Sequence, residues 1–405
     1  MRRSAVLLLP RRERAAVTRQ DALDEERPPS PRAQRVHDVL VVGAGPAGSA
    51  TALRLARSGL DVALVERGTF AEARVGESLA PAVQPLLRDL GLWDAFLQLR
   101  PLPSWGTRST WGDDVPTAHS HVAGPYGCGW HVDRRAVDEM LAESARRAGT
   151  HLRTGLLVTR CERAVDRWRV QTTVPRSHGP GPTLDARVVV DATGRSAHVG
   201  RMLGARRVIL DRLVALAVAV EVPGDAPGHL LVETSPDGWW YSAPVPSGET
   251  VTMLMTDADL SRADRLSEAD VWWARLDGTA ATSARLAGTR TRSRPQPWPA
   301  ASHRLLRRDS LPWLSVGDAA LAVDPVSGSG VLRALRTAAA AADAVEAWFA
   351  SGGPGPDGRP DRASPLERYE DARDVECSDY LVERARYYAA EDRWSTPFWR
   401  RRKVL

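Results

Sequence analysis

The stretch DVLVVGAGPAGSATALRLARSGLDVALVER, residues 38–67, decides the fold of this chain. The apolar run 39–42 predicts a buried parallel strand, which leads into the glycine-rich turn 43–48. An Ala- and Leu-rich helix follows, and a second apolar strand, 62–65, ends on Glu66. Strand, glycine turn, helix, strand and terminal acid in this order are typical of a dinucleotide-binding βαβ unit.

The residues of this unit have separate predicted roles. Gly43 permits the tight turn, Gly45 lets the backbone approach a pyrophosphate, and Gly48 lets the helix pack closely on the strand. The start of the helix offers free N–H groups and a partial positive charge to the phosphates. Glu66 can accept hydrogen bonds from a ribose diol. The predicted nucleotide contacts of the unit are therefore Gly43, Gly45, Pro46, Ala47, Gly48, Glu66 and Arg67.

The composition indicates a globular chain with more than one domain. It has 405 residues, of which 43% are hydrophobic, and no apolar run that could span a membrane. Cys128, Cys161 and Cys377 form no CxxC motif, so we expect neither a disulfide framework nor a metal site, and the pattern suits the cytoplasm. The net charge of +5 comes from arginines interleaved with acids, so we expect no nucleic-acid partner.

The rest of the chain is predicted to complete a doubly wound parallel sheet and to add a second sheet. Buried strands at 186–191 and 313–316 each end at a glycine turn. Several strands between residues 208 and 257, then a helix at 267–276 capped by Ser267, predict an inserted antiparallel domain. The fold class is α/β, and its predicted parts are a disordered extension (1–35), a discontinuous nucleotide domain (36–104, 127–200 and 305–351), a substrate domain (105–126 and 201–304) and a C-terminal helical segment (362–405).

Four motifs in this order resemble those of the FAD-dependent aromatic monooxygenases: GAGPAG with Glu66, VDR at 132–134, DATG at 191–194 and GDAA at 317–320. The resemblance implies a glutathione-reductase-like domain that binds FAD, with the GD acid on the ribityl–pyrophosphate chain. It also implies that a Pro-x-x-Gly-x-Gly turn presents N–H groups to the flavin pyrimidine edge. Alternatively, the two Asp residues cap helices, and the arginine lies on the surface. With the loop 76–78 expected to cross the cofactor, the further predicted FAD contacts are Ser78, Arg134, Asp191, Gly194, Gly317, Asp318, Pro325, Gly328, Ser329, Gly330 and Val331.

Within that group, the segments GESLAP (76–81) and WWYSAP (239–244) look most like the tryptophan-halogenase branch. In that branch a lysine shortly after the first segment carries the active chlorinating species. Its position is Pro85 here, and the only lysine of the chain is Lys403. With the DPVSGSGV turn and the YYAAEDRW tail, the pattern resembles lysine-free flavoproteins that hydroxylate a protein tryptophan during quinone-cofactor maturation.

The resemblance implies an FAD-dependent monooxygenase. FAD would be reduced by NAD(P)H or by a partner flavin reductase, would react with O₂ at the flavin C4a, and would transfer one oxygen to an electron-rich aromatic ring. Trp239, Trp240 and Tyr241 are predicted to line the pocket for an aromatic small molecule or a peptide or protein tryptophan, although strand core residues would give the same pattern. His119 and His131 are possible bases but are more simply structural, so no catalytic residue is assigned. The alternatives are a tryptophan-type halogenase, a geranylgeranyl-reductase-like enzyme and a non-catalytic flavoprotein.

Overall fold

The βαβ unit lies in an eight-stranded sheet in which five strands run parallel. The computed structural model describes residues 35–403 except 73, 176, 178, 225–226, 290 and 353–363. The predicted extension, apart from Arg35, lies outside the described residues. The parallel strands are, in spatial order, β8 (His151–Thr154), β2 (Val62–Glu66), β1 (Val36–Val42), β12 (Leu184–Asp191) and β20 (Trp313–Ser315). An antiparallel extension on β12 consists of β9 (Leu157–Arg163), β10 (Trp168–Val174) and β11 (Gly179–Pro180).

The parallel strands are buried on both faces, which explains their continuous apolar runs. Val39 and Val41 of β1 face one core, while Leu40 and Val42 face the other with Trp168. The first core is covered by the helices α1 (Pro46–Arg57), α4 (Arg134–Arg147) and α9 (Gly330–Ala350).

A seven-stranded sheet forms the second large layer, and only its β15–β5 pair is parallel. Because successive residues of a strand point to opposite faces, Trp239 packs with Tyr388 on one side and Trp240 with Trp272 on the other. The strands are, in spatial order, β18 (Gln296–Pro299), β14 (Leu213–Glu221), β17 (Glu249–Asp257), β16 (Gly238–Pro244), β15 (Leu230–Ser235), β5 (Gly106–Ser109) and β6 (Thr117–Ser120).

Two three-stranded sheets and the remaining helices connect these layers. The small sheets contain β3 (Ser78–Leu79), β7 (Gly129–His131) and β4 (Leu102–Ser104), and β13 (Arg206–Ile209), β19 (His303–Leu306) and β21 (Leu321–Ala322). The remaining helices are α2 (Val83–Asp89), α3 (Trp93–Gln98), α5 (His198–Met202), α6 (Ala258–Ala263), α7 (Ala269–Asp277), α8 (Ala281–Arg285), α10 (Pro365–Ala389) and α11 (Pro397–Lys403).

The α/β class, the parallel sheet and the added antiparallel sheet are confirmed. One local prediction is wrong: α7 begins at Ala269 with Glu268 in the N-cap position, so Ser267 does not cap it. From Val36 onward the chain packs as one compact unit, and its division into nucleotide and substrate domains stays a prediction. Among the helices that the structure describes, we find none long and apolar enough to cross a membrane.

Candidate active site

The three glycines of the first turn differ in what surrounds them. Gly43 has φ +105°, and a Cβ there would lie 2.3 Å from the Ala192 carbonyl oxygen. A Cβ on Gly48 would lie 1.9 Å from the Gly43 oxygen. A Cβ on Gly45 would meet nothing closer than Arg74 Nη1, at 4.0 Å. Two glycines therefore serve packing, and Gly45 faces open space where α1 begins.

Glu66 holds the turn from the end of β2. Its Oε2 accepts a hydrogen bond from Ala44 N at 2.8 Å, and its Oε1 accepts one from Gly68 N at 2.9 Å. The carboxylate is thus fixed beside the glycine turn. Arg67, in contrast, is exposed.

Arg134 begins α4 and ties down the loop that follows β2. Its Nη1 donates to the carbonyl oxygens of Val75 at 3.0 Å and Gly76 at 3.2 Å, and its Nη2 contacts Asp138 at 3.2 Å. Gly76 has φ +100°, and a Cβ there would lie 2.6 Å from Arg134 Nη1. Arg134 therefore positions the loop containing Ser78, and its contact with FAD stays a prediction.

The DATG turn and the GDAA turn meet at the same edge of the sheet. Asp191 accepts hydrogen bonds on both carboxylate oxygens, on Oδ1 from Thr193 N and Oγ1 and on Oδ2 from Gly200 N, so its side chain holds the DATG turn against α5. Gly194 has φ +63° and faces open space. Asp318 is partly exposed, 3.4 Å from Arg195 Nε, and is free of such capping bonds in the described structure.

The Pro-x-x-Gly-x-Gly turn lies immediately before the long helix α9. Asp324 caps it by accepting from Val326 N at 3.0 Å. Gly328 has φ +58°, and a Cβ on Gly328 or Gly330 would enter open space. Ser329 is the N-cap residue and Val331 is buried in the first turn of the helix. The positive end of a 21-residue helix therefore faces outward at this turn.

Two observations indicate that a dinucleotide fits these residues. Gly45, Gly328 and Gly330 leave room where a side chain would intrude. In addition, buried polar atoms normally have partners, yet two at the loop 75–78 have none among the described residues, namely Glu77 Oε2 and Arg134 Nε. FAD bound here would lie along α1, the Asp318 turn and the start of α9.

Glu77 is a functional candidate that the sequence did not single out beyond its loop. Burial raises the pKa of this carboxyl from 4.5 to about 7, against the opposing effects of the local backbone N–H groups and Arg134. The Tyr241 hydroxyl is close enough to influence that pKa but makes no well-formed hydrogen bond, and burial raises its own pKa. In the sequence, only the Gly-Glu-Ser pattern pointed to Glu77, because the burial of its carboxyl depends on the tertiary fold.

His131 pairs with Ser78 across β7 and β3 and is fully buried. Burial, then Arg285, His229 and His121, lower its pKa to about 4. His131 is therefore neutral at pH 7 and a weak base. His119 lies exposed on β6.

The predicted aromatic pocket needs correction. Trp239 is 1% exposed, and its Nε1 donates to Tyr388 Oη at 3.1 Å. Trp240 is also 1% exposed and packs in the core on the opposite face of the sheet, against Trp272. Because both indoles are enclosed by other side chains, neither forms a pocket wall, and only Tyr241 of the three faces the loop at Glu77.

Comparison with known proteins supports the same cofactor. A family model described as an FAD binding domain matches residues 36–349. The putative FAD-dependent oxidoreductase LodB of Marinomonas mediterranea is 31% identical over 380 residues, which cover 91% of this chain and 97% of that protein. The myxobacterial chondrochloren halogenase CndH has a TM-score of 0.82 at 25% identity, covering 92% of this chain and 86% of that one. The peptidyl tryptophan dihydroxylase QhpG, essential for tryptophylquinone cofactor biogenesis, has a TM-score of 0.72 at 27% identity, covering 91% and 79%.

Proposed function

This chain belongs to the FAD-binding-domain family and is an FAD-dependent oxidoreductase, and from that premise we propose that it is a monooxygenase that hydroxylates a tryptophan within a peptide or protein. The electron source is NAD(P)H directly or a partner flavin reductase. When bound and reduced, FAD would supply the activation of O₂.

The observation that carries the proposal concerns the single lysine. Lys403 lies exposed on α11, where its Nζ donates to the Trp394 carbonyl oxygen at 3.3 Å. Pro85 lies on α2, and the resemblance to the halogenase branch places that branch's lysine at this position. The described site thus lacks an amine that could take up an oxidised halide.

The protein's own residues would position the reactants and handle a proton. Arg134 and Gly76 hold the loop over the cofactor site, which keeps Glu77 buried beside Tyr241. A carboxyl with a pKa of about 7 can both hold and release a proton at neutral pH, which suits a general acid–base group. We therefore propose Glu77 as the group that exchanges a proton at the site.

A halogenase is the second candidate, favoured by the likeness to CndH over 92% of this chain. The deciding experiment incubates the FAD-loaded protein with a flavin reductase, NAD(P)H, chloride and bromide. Free tryptophan, a tryptophan-containing peptide and a long-chain isoprenoid are separate substrates, and products are identified by mass spectrometry. We expect oxygen on the peptide tryptophan. Halogen in the product, or reaction of the isoprenoid alone, would contradict the proposal.

A further inference from the structure

A cleft lies at the free edge of the seven-stranded sheet, beside β5 and β6. Its volume is 230 Å³, and an adjoining hollow of 250 Å³ shares His119 and Ser120 with it. The hollow continues to Ala80 and Pro81, directly after the loop that carries Glu77. The cleft therefore leads along β6 towards the candidate active site. Its lining includes Trp105, Thr107, Arg108, His119, Gly228 and His229.

Arg108 lines this cleft, and Arg285 contacts the main chain of His229, another lining residue. Neither arginine has a carboxylate partner in the part of the chain that the structure describes. Arg108 is exposed on β5 and makes no ion pair there. Arg285, at the end of α8, donates only to main-chain oxygens, those of His229 at 3.3 Å and Ser242 at 2.8 Å. By contrast, the buried Arg402 pairs with Asp257 at 2.7 Å. Among the described residues, Arg108 in the cleft and Arg285 next to it therefore carry positive charge that no carboxylate pairs with.

The neighbouring acid on β15, Glu233, pairs with neither arginine. Glu233 uses Oε1 to accept hydrogen bonds from Ala280 N at 2.8 Å and Ala281 N at 3.1 Å, and Oε2 to accept from Thr282 N and Oγ1, both at 2.6 Å. Its carboxylate is therefore committed to the start of α8.

The titration of nearby groups reflects the same field. Burial and then Arg108 lower the pKa of Arg285 to about 10. Burial, then Arg285 and Arg108, lower the pKa of His229 to about 4. A carboxylate placed between the arginines would relieve this repulsion, and guanidinium groups bind carboxylates with charge-assisted hydrogen bonds.

The cleft also has the features of a peptide-binding edge. All four residues of β6 are exposed, and β6 pairs only with β5 in the described sheet. An extended chain can add to such an edge through main-chain hydrogen bonds. Trp105, 53% exposed, provides an aromatic wall, and Gly228 allows its close approach because a Cβ there would lie 2.7 Å from Trp105 Cδ1.

We propose that this cleft binds an acidic side chain of the peptide substrate, which runs extended along β6 with its carboxylate on Arg108. The inference rests on the proposed function, since it assigns the substrate to the class of acidic peptides. Arg285 would strengthen the positive field from beneath the strand.

The test compares two peptides with blocked ends that contain one tryptophan and differ only in flanking Glu or Gln. Calorimetry with the FAD-loaded full chain measures their affinities in wild type, Arg108→Gln and the control Arg153→Gln, an exposed arginine on β8. We expect the Glu peptide to bind roughly tenfold more tightly in wild type and the control, and the preference to disappear in Arg108→Gln.

Equal affinities in wild type, binding of neither peptide, or a preference kept by Arg108→Gln would overturn the inference. So would tight binding of free tryptophan that is lost in tryptophanamide, because the carboxylate would then belong to a small molecule. Glu preference without oxidation of the peptide would support the cleft and refute the proposed function. Oxidation of both peptides at equal affinity would support the proposed function and refute the assignment of the cleft.

Discussion

Gly45→Ala separates the space for the cofactor from the packing of the fold. Gly45 has φ −73° and ψ −175°, which any residue adopts. The nearest atom to an added Cβ would be Arg74 Nη1, at 4.0 Å, which is an ordinary van der Waals contact. Alanine at an N-cap costs about 0.5–1 kcal/mol relative to glycine. Reduced freedom of the unfolded chain returns about 0.4–1 kcal/mol. We therefore expect an apoprotein as stable as wild type.

FAD binding should weaken in the same variant, because the methyl group would stand where we predict that the pyrophosphate approaches. A steric cost of about 1–3 kcal/mol corresponds to roughly 5- to 150-fold weaker binding. The larger Gly45→Val should lose the flavin during purification.

The assay combines thermal unfolding of the apoprotein with titration of FAD by flavin fluorescence. Gly48→Ala is the matched control: its Cβ would lie 1.9 Å from a backbone oxygen, so this apoprotein should be destabilised. Wild-type FAD affinity in Gly45→Ala, a full flavin complement in Gly45→Val, or equal destabilisation of the Gly45→Ala and Gly48→Ala apoproteins would refute the reasoning.

Three further predictions concern buried polar groups. The pKa of Glu77 is raised from 4.5 to about 7, so its proton stabilises the fold below pH 4.5 and this contribution is lost as the pH rises to 7. Relative to Glu77→Gln, the stability of the apoprotein in chemical denaturation should fall by up to about 3 kcal/mol over that range. Parallel stability–pH curves for the two proteins would contradict this. Tyr388→Phe should cost about 1–3 kcal/mol of unfolding free energy, because the Tyr388 hydroxyl donates to Asp324 Oδ2 at 2.8 Å and accepts from Trp239 Nε1. An unchanged denaturation midpoint would show that these two hydrogen bonds do not stabilise the fold. Trp239→Ala removes a core side chain and should lose about 3–5 kcal/mol of unfolding free energy. Tyr241→Phe should keep its stability and FAD content but slow substrate-stimulated flavin oxidation. A stable Trp239→Ala with slowed flavin oxidation, beside an unaffected Tyr241→Phe, would restore Trp239 to the pocket.

The βαβ unit was predictable because its signals are local. Apolar runs, glycine spacing and the acid at the end of the second strand lie within residues 38–67, and the observed β1, α1 and β2 follow them. The lack of a lysine near the GESLAP segment can likewise be read from the sequence alone, since Lys403 is the only lysine in the chain.

Long-range contacts decided the rest. Alternation along β16 places Trp239 and Trp240 on opposite faces, but only the packed C-terminal segment and α7 show that both faces are covered. Burial raises the pKa of Glu77, and Arg134 and Tyr241, both distant in sequence, act against that rise. Arg108 and Arg285 come from elements far apart in the chain, so their positive charges come together only once the sheet has formed. Local sequence patterns therefore determined the nucleotide-binding fold, whereas the burial of Glu77 and the shared charge of Arg108 and Arg285 arise from tertiary packing between residues that are distant in sequence.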